Sequence, residues 1–72
     1  METNVTYTIK LQDKDDTYIL DTDGTFEDAY ELARNYHHYA TLISFFNFEG
    51  ENIVTITREQ LMDRNLTINY KD

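Results

Sequence analysis

The chain has 72 residues, with 14 Asp+Glu against 6 Lys+Arg, a net charge of −8 and no cysteine. That length allows one small domain with a thin core, and the missing cysteine excludes a disulfide framework, a thiolate nucleophile and a cysteine-based zinc site. The charge argues against direct binding of nucleic acid or an anionic membrane, since both need cations on the protein, while 40% apolar residues in periodic patterns argue against disorder.

Val5, Tyr7, Ile9 and Leu11 alternate with Thr6, Thr8 and Lys10, the period of a half-buried strand. Asp13-Lys14-Asp15-Asp16 reads as a turn, and residues 17–21 as the returning strand of a hairpin. Asp21-Thr22-Asp23-Gly24 breaks the chain again. Thr25 and Asp28 then have the spacing of a capping box, and Glu27, Asp28 and Glu31 lie where a helix dipole favours negative charge. Phe26, Ala29, Tyr30, Ala33, Tyr36, His37 and Ala40 follow helical spacing, which predicts a helix over 26–38 with one apolar, aromatic face.

Residues 41–48 (TLISFFNF) read as a strand with apolar residues on both faces. Ile43 and Phe45 point one way and are expected under the helix; Leu42, Phe46 and Phe48 point the other. A turn over 49–52 leads to a strand over 53–57. Thr57 and Gln60 make a second capping box before a helical turn at 58–62, and Leu66, Ile68 and Tyr70 alternate as a last short strand. The order β-β-α-β-β-turn-β predicts a two-layer α+β sandwich, a mainly antiparallel sheet with one helix across one face. The first two strands should pair, as should the third and fourth; the sheet order is not legible.

The string from Tyr18 through Asp21-Thr22-Asp23-Gly24-Thr25 to Phe26 resembles the first motif of the haloacid dehalogenase phosphotransferases. The resemblance implies Asp21 as nucleophile and magnesium ligand and Asp23 as general acid/base. That family also needs a further basic residue and downstream acids on a long parallel sheet. The antiparallel pattern here supplies neither, so the string is read as a strand-to-helix turn capped by Thr25. An EF-hand loop centred on Gly24 would need acids where Ile19 and Tyr30 stand. His37 and His38 are adjacent on the expected helix and should diverge rather than chelate a metal. Ser44, the lone serine, sits mid-strand, where no catalytic triad presents its nucleophile. Asn4-Val5-Thr6 and Asn65-Leu66-Thr67 match the glycosylation sequon, but residues 1–4 lack the basic and apolar regions of a secretory signal, and the protein reads as cytoplasmic. No enzyme activity, metal or cofactor is expected.

The expectation is therefore a protein-protein interaction module with two surfaces. One is acidic: Asp13, Asp15 and Asp16 at one end of the first hairpin, and Asp21, Asp23, Glu27, Asp28 and Glu31 toward the other, about 17 Å away across a five-residue strand. It suits a basic, nucleic-acid-binding partner protein, in the manner of phage or mobile-element inhibitors that imitate nucleic acid. The other is apolar, formed by Leu42, Phe46 and Phe48 on the sheet face that the helix leaves open. The alternative reading is a homodimeric assembly module that pairs through this open face.

Overall fold

The computed structural model describes residues 6–63 and 65. Four strands are seen among them: β1 (Thr6–Gln12), β2 (Thr17–Asp23), β3 (Leu42–Phe46) and β4 (Asn52–Thr57). Helix α1 (Phe26–Asn35) follows β2, and the short helix α2 (Arg58–Met62) follows β4. All neighbours are antiparallel and the sheet order is β2-β1-β3-β4. This is the expected α+β arrangement, with both hairpin pairings as predicted and β1 joining them at the centre. Val5 and the last expected strand, 66–70, lie outside the described residues.

Register follows from burial. Tyr7, Ile9 and Leu11 of β1 are buried while their neighbours are half-buried. Ile9 sits opposite Phe45 and Leu11 opposite Ile43, so the buried residues of β1 and β3 lie side by side. A slip of one residue would turn Phe45 and Ile43 to solvent, which specifies the pairing strongly. Between β3 and β4 the register shifts at Phe45/Phe46: Phe45 faces Val54 and Phe46 faces Asn52. Ile53 is the extra residue of this bulge. Both it and Val54 pack with the core, and Thr55 is left exposed.

Helix α1 starts where its cap dictates. Thr25 Oγ1 accepts the Asp28 N–H at 3.2 Å, and Asp28 Oδ2 accepts the Thr25 N–H at 2.9 Å. Gly24, at φ +129°, makes the turn into the helix, and a methyl group there would run into the Asp28 carboxylate. The helix ends at Asn35, three residues before the expected 38. The Tyr36 N–H reaches the carbonyls of Ala33 and Arg34, and the chain tightens into a 3-10 turn, His37–Tyr39. Ala29 and Ala33 are fully buried and let the helix lie close on the sheet. Phe26 and Tyr30 pack on Phe45, with ring centroids 5.1 and 5.9 Å apart.

The predicted capping box of α2 is also present, between Thr57 and Gln60. Leu61 is fully buried, and its carbonyl accepts from Arg34 Nε at 2.9 Å. The Arg34 guanidinium lies 4.4 Å from the Tyr30 ring and pairs with Glu31 at 2.7 Å. One side chain thus ties α1 to α2.

Two strand ends differ from expectation by two residues. β2 runs on to Asp23, beyond the expected 21, because Thr6 and Thr8 of β1 bind its carboxylates from across the ladder. β3 stops at Phe46, before the expected 48, because the Asn47 side chain captures the N–H groups of Glu49 and Glu51, each at 2.9 Å.

Phe45 and Phe46 are adjacent but on opposite faces, so they separate core packing from surface. Phe45→Ala should cost about 3–5 kcal/mol, and Phe46→Ser much less, in denaturant titrations of the two variants. Thr25→Ala should cost about 1 kcal/mol through loss of the cap, read as a lowered denaturation midpoint.

Candidate functional site

β2 is an edge strand, and its outer half carries Asp21 and Asp23 on the face away from α1. Both carboxylates are held: Thr8 Oγ1 donates to Asp21 Oδ1 at 2.8 Å, and Thr6 Oγ1 to Asp23 Oδ1 at 2.6 Å. Alternate residues on a strand are about 6.6 Å apart, so these threonines set two carboxylates at a fixed spacing. Charge on an edge strand also discourages pairing with another chain. Chain reversal at Gly24 then brings Glu27, Asp28 and Glu31 onto the first two turns of α1. Asp28 is fixed by the cap and Glu31 by Arg34.

Asp13, Asp15 and Asp16 occupy the turn at the other end of the β1–β2 hairpin, closed by an Asp13 N–H to Asp16 O bond of 2.9 Å. All eight of these acids are exposed. Among the described residues, Asp13, Asp15, Asp16, Asp21, Asp23, Glu27 and Asp28 form no ion pair. Lys10 lies between the two groups, opposite Ile19. The two ends of β2, six residue steps apart, are separated by about 20 Å. The acids thus form a strip along the β2 edge and the start of α1.

The apolar residues expected on the open sheet face are not brought together. Leu42 and Phe46 do share that face, but Ser44 stands between them, bound by Thr55 at 3.1 Å. Their neighbours across β1 are Gln12 and Thr8. Ile19 is on the same face, 56% exposed, beyond Lys10. Phe48 has left the strand altogether and sits in the β3–β4 turn, 70% exposed. Among the described residues, hydroxyl and amide groups from Thr6, Thr8, Gln12, Thr55 and Thr57 fill the intervals, so this face is mainly polar, with Ser44 itself buried.

A feature that sequence reasoning missed lies on the opposite face. Leu11, Tyr18, Leu20, Tyr36 and Tyr39 line an open cleft of about 230 Å³. Tyr18 and Tyr39 meet edge to face at 5.7 Å, and Tyr36 lies 6.2 Å from Tyr39. The signal available was Tyr18 and Leu20 alternating on β2 beside Leu11 and Ile9, with Tyr36 and Tyr39 three apart at the helix end. Their meeting depends on where α1 stops.

The residues that evoke catalysis are placed differently. Asp21 and Asp23 are paired strand residues of an antiparallel sheet rather than residues of an open loop. The His37 and His38 rings do not diverge; their centroids are 4.0 Å apart, and His37 Nδ1 lies 2.9 Å from the Arg34 carbonyl. Among the described residues no three His, Asp or Glu side chains are grouped to hold a metal ion, and no helix is long and apolar enough to cross a membrane. No protein-family model matches the chain, and no curated protein or solved structure matches it.

Since Asp21 and Asp23 are exposed and bonded only through surface threonines, replacing both by Asn should shift stability by no more than about 1 kcal/mol in either direction. Denaturant titration of the double variant checks this.

Proposed function

We propose that the chain is a non-enzymatic interaction protein of the cytoplasm that occupies a basic surface on a partner, such as the nucleic-acid-binding face of a protein. The observation that carries this reading is the exposed carboxylate strip along β2 and α1. Seven of its eight acids, all but Glu31, lack a cation among the described residues, and four of the eight carboxylates are held by hydrogen bonds: Asp21 and Asp23 by threonines, Asp28 by the cap and Glu31 by Arg34. Carboxylates that are already positioned lose little freedom on binding. Their common sign steers a cationic partner and excludes nucleic acid from the same site. By analogy of class alone, small acidic inhibitors that imitate nucleic acid use such a surface.

Homodimerisation through the open sheet face is the weaker reading, because polar side chains separate Leu42, Phe46 and Ile19 on it.

Placement of charge, rather than its total, is what the proposal rests on, and two variants of equal net charge test it. One changes Asp13, Asp16, Asp21 and Asp23 to Asn. The other changes Glu49, Glu51 and Glu59 to Gln and Asp63 to Asn, on either side of β4, the opposite edge strand of the sheet. Binding of an octa-arginine peptide should weaken steeply with salt for the wild type. The strip variant should lose about tenfold in affinity or more, and the β4-side variant less than about threefold. Equal losses, or wild-type binding that ignores salt, would contradict the proposal.

A further inference from the structure

The aromatic cleft adds an anchor to this charged surface. It lies on the helix side of the sheet, past the end of α1, where the 3-10 turn His37–Tyr39 approaches the hairpin end of β1 and β2. Its tyrosines stay open to solvent, Tyr18 at 45%, Tyr36 at 39% and Tyr39 at 53%. At about 230 Å³ it is smaller than the roughly 300–1,000 Å³ of pockets for drug-sized ligands. It has the scale of one long side chain.

We propose that this cleft receives an arginine side chain of the basic partner. The inference rests on the function proposed above and names the contact that gives it specificity. Leu11 and Leu20 offer an apolar floor to the arginine stem, whose methylenes pack on such surfaces while the charged end stays near water. Tyr18, Tyr36 and Tyr39 supply aromatic rings, and a ring face attracts a guanidinium through its quadrupole. The protein contains the same contact internally, in Arg34 over Tyr30 at 4.4 Å.

Charge decides between a cation and an apolar occupant. Leu11 and Tyr18 pair across the hairpin, Gln12 and Thr17 form the next and last pair, and Asp13, Asp15 and Asp16 follow in the turn. Asp13 and Asp16 are therefore two residues from Leu11 and Tyr18 along the chain, roughly 7 Å of backbone, and Asp15 is one residue further. They complement a guanidinium at the mouth, whereas an apolar side chain would gain nothing from them.

The test uses the full chain and the octa-arginine peptide at fixed salt. Tyr39→Leu keeps the lining apolar but removes a ring face; Tyr39→Phe keeps the face. Tyr39→Leu should weaken binding roughly three- to thirtyfold, and Tyr39→Phe less than about twofold. Tyr18→Leu should repeat the Tyr39→Leu result, and melting curves confirm that each variant is folded. Arginine Hδ protons of the peptide should move upfield with wild type and not with Tyr39→Leu. Unchanged affinity in both leucine variants, with steep salt dependence retained, would overturn the cleft assignment while leaving the acidic strip standing. Loss of salt-dependent binding in the wild type itself would overturn both. A peptide with norleucine in place of arginine binding as tightly would assign the cleft to an apolar side chain. Concentration-dependent dimers lost in Tyr39→Leu would assign it to a second copy of the chain; either result contradicts the proposal.

Discussion

The length of one helix governs this fold. The ten residues of α1 span about 15 Å, while the seven-residue strands β1 and β2 span about 23 Å. The helix cannot cover the strands along their whole length. Its start is set at Thr25 by the cap, so the shortfall falls at its other end, over the hairpin end of β2. Leu61 of α2 extends the cover toward β3 and β4, tied to α1 through Arg34. At this end Tyr36 and Tyr39 approach Tyr18 and Leu20 and leave between them the aromatic cleft.

The same economy shapes the charged surface. A net charge of −8 on 72 residues opposes compaction by self-repulsion, yet many acids occupy positions where negative charge is useful. Glu27 and Asp28 lie in the first turn of α1 and interact well with its dipole. Asp28 also closes the capping box, and Asp21 and Asp23 satisfy hydroxyls of β1 while guarding an open edge. Each bond engages one oxygen or one face of a carboxylate and leaves the remainder outward. Structural anchoring and presentation to a partner are therefore compatible at these positions, and the hairpin turn continues the strip to the mouth of the cleft.

Much of this was legible in the residues because local signals acted alone. Alternation in β1, the paired caps at Thr25/Asp28 and Thr57/Gln60, and the opposite faces of Phe45 and Phe46 needed no knowledge of distant contacts. Phe45 is the core member of the pair because Phe26 and Tyr30 sit where helical spacing puts them. The sheet order was hidden, since alternation assigns faces and not neighbours. The end of α1 was hidden because no Gly or Pro follows it, and the apolar spacing runs on through Tyr36, His37 and Ala40. β2 gained Asp23 from a hydroxyl seventeen positions away, at Thr6. Phe48 left β3 through a local cause, the side chain of Asn47, that alternation does not register. The cleft joins residues 18 and 20 to residues 36 and 39, a juxtaposition that only the folded chain provides.

The central claim is that one edge of the molecule, formed by the β1–β2 hairpin and the ends of α1, is its binding surface. Amide chemical-shift mapping of the isotope-labelled full chain during titration with octa-arginine tests it most directly. The account predicts that shifts concentrate in residues 13–23 and 27–31 and around Tyr36 and Tyr39, with the β3–β4 turn and α2 left unmoved. Shifts centred on Leu42, Ser44 and Phe46, or spread evenly over every exposed acid including Glu49, Glu51 and Glu59, would contradict it.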